Sequence, residues 1–228
     1  SNKLYLNKGN FSFRDITEEA NVTGEGRWCN AASVVDINND GWQDIYVCAS
    51  INKEPSKRTN LFYINQGKQE NGIPVFKEMA KEYNLADPGF SVHAAFFDYD
   101  NDGDLDMYLV NTRLAERNGT RFDGGNTENT LFASDKLFRN DGSATPGGIA
   151  AFTDVSMQAG IRDEGFGLGV GIADLNQDGW KDIYVTNDFF SSDLLYINQK
   201  NGTFSNKAPA CLKHTSRNAM GNDIADMN

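Results

Sequence analysis

A nine-residue pattern occurs three times in this chain and constrains its fold and chemistry more than any other feature. Positions 1, 3, 5 and 9 carry Asp or Asn, and position 6 is always Gly. The copies, called here the first, second and third loop, are DINNDGWQD at residues 36–44, DYDNDGDLD at 98–106 and DLNQDGWKD at 174–182. Alternate side-chain oxygens around a Gly that permits a sharp bend are what a hard cation requires of a short loop. We therefore predict three metal-binding loops.

The predicted ligands are the side chains at positions 1, 3, 5 and 9 and the backbone carbonyl at position 7. They are Asp36, Asn38, Asp40, Trp42 and Asp44; Asp98, Asp100, Asp102, Asp104 and Asp106; and Asp174, Asn176, Asp178, Trp180 and Asp182. No His or Cys lies in any loop, which argues against zinc and copper. Magnesium prefers a smaller octahedral shell that keeps several waters. The pattern therefore predicts about three calcium ions per chain, and their repetition favours a structural over a catalytic role.

Short apolar runs on both sides of each loop predict β-hairpins rather than helices. They are four to six residues long and rich in β-branched and aromatic side chains, as in residues 31–35 and 45–48 around the first loop. An EF-hand begins with a similar pattern but requires Glu at position 12. That position holds Val47, Leu109 and Val185, which excludes the EF-hand.

A third and a fourth strand pattern follow each hairpin. The third-strand patterns lie at residues 61–65, 137–140 and 195–198, and the fourth-strand patterns at 76–78, 152–154 and 204–206. The loops begin 62 and 76 residues apart. Four antiparallel strands per repeat predict an all-β fold, a β-propeller whose blades each carry a calcium loop in the first hairpin.

The predicted blades divide the chain into one propeller region. Its parts are a partial blade at residues 1–24, blades at 25–86, 87–160 and 161–210, and the start of a further blade at 211–228. Residues 4–7 and 13–15 match third and fourth strands, and residues 219–225 match a first strand. The chain thus contains about 3.75 blades, fewer than the 4–8 of a closed propeller. We therefore expect it to be a fragment of a longer protein that forms an open arc of blades or self-associates through its unpaired strand edges. A composite blade made from both ends is the alternative.

The order of these motifs resembles the FG-GAP/VCBS repeat family. The shared elements are L-[YF]-x-N, Phe-x-[DE], an Ala- or Gly-rich strand and D-x-[DN]-x-D-G-x-x-D. The chain is most similar to the branch found in cartilage acidic proteins and bacterial UnbV/ASPIC-containing proteins, and more remotely to integrin α-subunit propellers, because a Phe-Gly pair survives only at Phe166-Gly167. The resemblance implies structural calcium and a secreted or cell-surface protein.

The net charge of −11 follows largely from the loops, which hold eleven carboxylates. Three calcium ions would add six positive charges and leave about −5, so the acidity does not indicate a basic partner and argues against nucleic acid. No apolar run approaches the ~18 residues of a membrane span. Cys29 and Cys48 lie near the open end of the first hairpin, where a disulfide and two buried thiols are both open, with thiols favoured.

The ends of the strands away from the calcium loops form what we call the opposite face. It comprises residues 24–30, 50–60, 87–93, 111–135, 162–167 and 187–193. Long connections on a rigid scaffold are usual recognition sites, and 111–135 is the longest. The candidate ligand-contacting residues are Trp28, Lys53, Arg58, His93, Arg113, Arg117, Arg121 and Phe189. Nearby acidic residues offset much of this charge, and the rings are also suited to packing between blades.

Three functions fit these observations. The first is an extracellular, cell-surface or periplasmic scaffold that binds a protein or glycan, for which the cationic candidates favour an acidic partner. The second is a glycan-processing enzyme such as a calcium-dependent polysaccharide lyase, and the third is a structural spacer of a larger surface protein. An enzyme is the less favoured interpretation, because the chain has only two histidines and shows no paired-carboxylate pattern outside the loops.

Overall fold

The computed structural model describes residues 2–69, 71–113, 132–145, 148–189, 191–216 and 218–225. Its strands are β1 (Tyr5–Asn7), β2 (Phe13–Asp15), β3 (Cys29–Val35), β4 (Asp44–Ala49), β5 (Leu61–Lys68), β6 (Pro74–Glu78), β7 (Ser91–Phe97), β8 (Asp106–Asn111), β9 (Lys136–Asn140), β10 (Phe152–Asp154), β11 (Gly167–Ala173), β12 (Asp182–Asn187), β13 (Leu194–Asn198) and β14 (Phe204–Asn206). The short helices are a 3₁₀ turn at Pro55–Lys57, α1 (Ser156–Ala159) and α2 (Ala208–Cys211).

The strands form antiparallel sheets whose order follows the chain. Strands β3 to β6, β7 to β10 and β11 to β14 form three four-stranded sheets, called here blades 1, 2 and 3, and β1 pairs with β2 in a two-stranded sheet. The predicted all-β fold with propeller-like blades is confirmed. Across the described parts of the chain, these sheets do not close into a ring.

Blades 1 and 2 are buried on both sides, because the two faces of each contribute to two different cores, whereas blade 3 contributes to the core that it shares with blade 2. In β4, Tyr46 packs in the core shared with blade 2, whereas Val47 packs in the core shared with the N-terminal segment. In β8, Leu109 joins the core shared with blade 1 and Tyr108 the core shared with blade 3. Alternate residues of one strand point to opposite faces of a sheet, so this division is what stacked blades require.

The first strands of the blades lie side by side, with β3 contacting β7 and β7 contacting β11. Residues 219–225 continue this row beside β11, where a Cβ at Gly169 would lie 2.9 Å from the Gly221 Cα. The predicted first strand at 219–225 is wrong in one respect, since the segment is not assigned to a strand. Within the described residues no neighbouring strand forms a ladder with it.

The N-terminal segment covers the outer side of blade 1. Ile16, Ala20 and Val22 are buried there against Leu61 and Tyr63 of β5. The predicted third and fourth strands at 4–7 and 13–15 correspond to β1 and β2. Among the described helices, none has the length and apolar character needed to cross a membrane.

Candidate functional site: three acidic loops

Each nine-residue loop connects the first two strands of a blade. The first loop joins β3 to β4, the second joins β7 to β8 and the third joins β11 to β12, in antiparallel register. Positions 4 and 6 have positive φ in every copy: 55° and 86° at Asn39 and Gly41, 59° and 97° at Asn101 and Gly103, and 60° and 89° at Gln177 and Gly179. The Gly at position 6 was identified from the sequence, whereas the left-handed residue at position 4 was missed.

Backbone N–H groups hold the carboxylates at positions 1 and 5 in the same arrangement in all three loops. In the second loop, Asp98 accepts hydrogen bonds from the N–H groups of Asp102 (3.2 Å) and Gly103 (3.1 Å), and Asp102 accepts one from Asp104 N–H (3.1 Å). Asp36, Asp40, Asp174 and Asp178 repeat these bonds. The loops are therefore shaped by their own backbone, with the remaining carboxylate lone pairs available to a cation.

The carboxylate at position 9 is fully buried and joins three parts of its blade. Asp106 accepts the N–H of Tyr99 at loop position 2 (3.0 Å) and the N–H of Asn140 at the end of β9 (2.8 Å). Asp44 and Asp182 make the equivalent bonds, with Asn65 within β5 and with Asn198 at the end of β13. Sequence reasoning missed this role of the third-strand asparagines, although the repeated L-[YF]-x-N motif was the signal for it.

The second loop differs from the others in carrying Asp at positions 3 and 7. Ligand oxygens of Asp98, Asp100 and Asp106 lie within 4.8 Å of one another. One oxygen each of Asp100 and Asp104 is buried and has no hydrogen-bond partner. Burial, followed by repulsion from Asp102, raises the pKa of Asp104 to about 6, and burial raises the pKa of Asp106 to about 7. Such crowding of buried carboxylates is a cost that a bound cation would remove.

The geometry of the second loop fits calcium. Calcium–oxygen distances are about 2.3–2.6 Å, so two ligands on opposite sides of one ion lie about 5 Å apart. The ligand oxygens of Asp98, Asp100 and Asp106 all lie within 4.8 Å of one another, so one such ion could reach all three. All donors are oxygen, which suits a hard cation, and the buried unpartnered oxygens of Asp100 and Asp104 are the groups that need one.

The first and third loops have a neutral Asn at position 3, where the second loop has a charged Asp, and this Asn forms a hydrogen bond within its loop. The Nδ2 group of Asn38 donates to Asp40 (2.8 Å), and that of Asn176 donates to Asp178 (3.0 Å). In the third loop, Lys200 Nζ also lies 3.3 Å from a carboxylate oxygen of Asp178. These two loops keep the predicted ligand types but have fewer unpaired charges than the second.

A model of FG-GAP-like repeats matches residues 1–47 and 174–228, which include the first and third loops. These segments belong to the FG-GAP-like repeat family. The second loop and blade 2, which lie between the matched segments, repeat the strand order and the loop hydrogen bonds of the other two blades. No curated protein matches the chain.

The opposite face presents some of the predicted ligand-contacting residues to solvent. Trp28 is 66% exposed and Phe189, whose ring packs against Phe166 at 5.1 Å, is 49% exposed. Lys53 is exposed, and His93 is half-buried with its pKa lowered by burial. Trp28, Lys53 and Phe189 are therefore accessible to solvent, whereas His93 is only partly so.

Two of the predicted cationic residues serve other purposes. Arg58 is only 2% exposed, so its prediction as a ligand-contacting residue is wrong. Its guanidinium donates to the carbonyls of Asn52, Lys53 and Pro88 and lies 4.3 and 4.8 Å from the ring centres of Phe90 and Phe132. Arg113 pairs with Glu164 at 3.3 Å. Arg117 and Arg121 lie outside the described residues.

Cys29 and Cys48 are free thiols. Cys48 is buried in the core shared with blade 2, and Cys29 packs against the core shared with the N-terminal segment. The two side chains thus lie on different faces of blade 1, which favours the thiol interpretation over a disulfide.

Proposed function

We propose that this chain is a calcium-stabilised β-propeller scaffold that binds a protein or glycan outside the cytoplasm. The observation that carries the proposal is the pair of buried, unpartnered carboxylate oxygens on Asp100 and Asp104, in a loop where Asp98 and Asp106 converge on Asp100. A cation is the partner that such oxygens require. The ligand-holding residues would be the Asp and Asn side chains at positions 1, 3, 5 and 9, with the position 7 carbonyl.

Calcium would contribute stability on the scale of the whole fold. At a Kd of about 10 μM and about 1 mM calcium, one site adds about 2.7 kcal/mol, because only the folded loop binds the ion. Three such sites add about 8 kcal/mol, which is comparable with the net stability of a domain. The calculation assumes free calcium at an extracellular level, which agrees with the location that we propose, outside the cell, at its surface or in the periplasm.

The first experiment measures metal content and thermal stability. Purified protein is dialysed against 1 mM calcium, its bound calcium is counted by elemental analysis, and melting is followed in calcium and in EDTA. We expect about three ions per chain and a melting temperature at least 10 °C higher in calcium. Asp102→Ala should reduce this difference by about a third, whereas Glu82→Ala, which removes an exposed carboxylate elsewhere, should leave it unchanged. Equal melting in calcium and EDTA would refute the proposal.

Binding is proposed for the opposite face, since Trp28, Lys53 and Phe189 are exposed there. Calcium ions in the loops, on the other side of the blades, would then make the scaffold more rigid without contacting the ligand. An array of acidic and neutral glycans, probed with the parent and a Trp28→Ala/Lys53→Ala/Phe189→Ala variant, tests this. Phe13→Ala, which removes an exposed ring from the N-terminal sheet, is the matched control. Equal binding by the parent and the triple variant would remove the opposite face from the proposal.

A further inference from the structure

We infer that the three loops bind calcium unequally, with the second loop loading first and the third loop loading last and depending on the second. This inference rests on the proposed function, because it assumes that the loops bind calcium. Three observations support it: the number of carboxylates in each loop, a lysine that competes for the third loop, and hydrogen bonds that join the second loop to the third.

The number of carboxylates distinguishes the second loop. It contains five Asp residues, whereas the first and third loops contain three each. In the second loop the oxygens of Asp100 and Asp104 are buried without a partner, whereas Asn38 and Asn176 at position 3 of the other loops already donate to Asp40 and Asp178. Because calcium affinity rises with the charge of the ligand set, the second loop should bind most tightly.

The third loop contains a competing cation. Lys200 Nζ lies 3.3 Å from a carboxylate oxygen of Asp178 and 3.4 Å from its carbonyl oxygen. An ion bound at position 5 must displace or repel this ammonium group. In the first loop, the described neighbouring lysine is Lys68, which lies over the ring of Trp42 instead. The third loop should therefore bind more weakly than the first.

Hydrogen bonds link the second loop to the third through Asn198. The Asn198 side chain donates to the carbonyl of Tyr99 in the second loop (2.8 Å), and its backbone N–H donates to Asp182 in the third loop (2.9 Å). Tyr99 N–H in turn donates to Asp106. The two position 9 carboxylates are thus joined by one continuous path. A longer contact joins Asn101 to the carbonyl of Gly179 (3.4 Å).

The first and second loops do not share such a path within the described residues. Asn140, the counterpart of Asn198 in blade 2, directs its side chain to Leu105 of its own blade. Asn65 in blade 1 likewise directs its side chain to Gln43. Ordering of Tyr99 by an ion held at Asp98, Asp100 and Asp106 would therefore position Asp182 through Asn198, with no equivalent effect on the first loop.

The loops can be observed separately because their tryptophans differ. Trp42 and Trp180 occupy position 7 of the first and third loops, and the second loop has Asp104 there. Terbium, a luminescent ion of similar size to calcium, emits when a nearby indole is excited. Titration of a Trp42→Phe protein therefore reports the third loop, and titration of a Trp180→Phe protein reports the first. Both changes retain the position 7 carbonyl. Calorimetry with calcium measures all sites together.

We expect the third-loop midpoint to lie at a higher terbium concentration than the first-loop midpoint. Asp102→Ala should raise the third-loop midpoint about fivefold or more and leave the first-loop midpoint within about twofold. Asn198→Ala should remove this dependence, whereas Asn65→Ala, the matched change in blade 1, should preserve it. Lys200→Gln should lower the third-loop midpoint. Should Asp102→Ala fail to fold, Asp100→Asn gives the second loop the position 3 residue of the other loops and should weaken the tightest calorimetric phase about tenfold.

The possible failures are distinguishable. Absence of calcium binding in calorimetry would refute the proposed function itself. Calcium binding with equal midpoints in all loops, with a third loop that fills before the first, or with a third loop indifferent to Asp102→Ala would leave the proposed function intact and overturn this inference.

Discussion

Asp135 is a buried carboxylate outside the three nine-residue loops and should make the stability of the chain depend on pH. It precedes β9, where it accepts hydrogen bonds from the Tyr108 hydroxyl (2.8 Å) and from Asn111 N–H (2.8 Å). Burial, despite these bonds, raises the pKa of Asp135 from 3.8 to about 7. In the folded state this carboxyl therefore keeps its proton at pH values where the unfolded chain has lost it.

The sign and size of the effect follow from this difference. Because the folded pKa is raised, the stabilisation is fully present below pH 3.8 and is lost as the pH rises through about 7. Three units at 1.36 kcal/mol per unit correspond to about 4 kcal/mol over the whole window. Between pH 5 and pH 8 the loss should be about 2–3 kcal/mol, or roughly 5–10 °C in melting temperature for a chain of this length.

The chain itself suggests the substitution that tests this. In blade 1 the equivalent position is Asn60, which accepts Ala49 N–H and donates to the Tyr46 hydroxyl. Asp135→Asn should therefore fold, and its unfolding free energy in saturating calcium should fall less than that of the parent between pH 5 and pH 8. Guanidinium unfolding at several pH values measures the difference, with Glu82→Gln as a control for net charge. Parallel pH profiles for the parent and Asp135→Asn would refute the reasoning.

Three further outcomes are expected. Gly169→Val should lose about 1–3 kcal/mol in chemical unfolding, because even its Cβ would meet the Gly221 Cα at 2.9 Å, whereas Gly221→Ala, with nothing within 4 Å, should lose less. Arg58→Lys should destabilise by about 2 kcal/mol, since lysine cannot reproduce the forked contacts to three carbonyls, and a tolerated change would contradict that role. Thiol titration of unfolded, unreduced protein should find three thiols, because Cys29 and Cys48 are unpaired; a count of one would show a disulfide.

The repeated pattern predicted most of the fold because it depends on local rules. Short apolar runs around 36–44, 98–106 and 174–182 placed the first hairpin of each blade correctly, and the Phe-x-[DE] motifs located β10 and the end of β6. Strand register, the alternation of side chains and the bends at Gly can all be predicted from a few consecutive residues.

Features that depend on tertiary contacts could not be predicted. Arg58 looked like a surface cation, because nothing in its neighbourhood in the sequence shows that Phe90 and Phe132 will enclose it. Asn198 has the same motif context as Asn65 and Asn140, but its additional bond to Tyr99 depends on how blade 3 lies against blade 2. Residues 219–225 have the composition of a strand, but a strand forms only where a neighbouring strand pairs with it, and this segment is not in a strand.

The sharing of each core by two neighbouring sheets determines how the chain should come apart. No blade has a hydrophobic core made only of its own residues. We therefore expect the junctions between blades to be the cooperative units of unfolding, as in a linear array of repeats. Unfolding of such an array begins where the buried contacts are fewest. The three-residue strands β1 and β2, with Tyr5 and Phe13 largely exposed, have few such contacts, so amide exchange should be fast there. The backbone of β8, whose six residues are all buried, should exchange last.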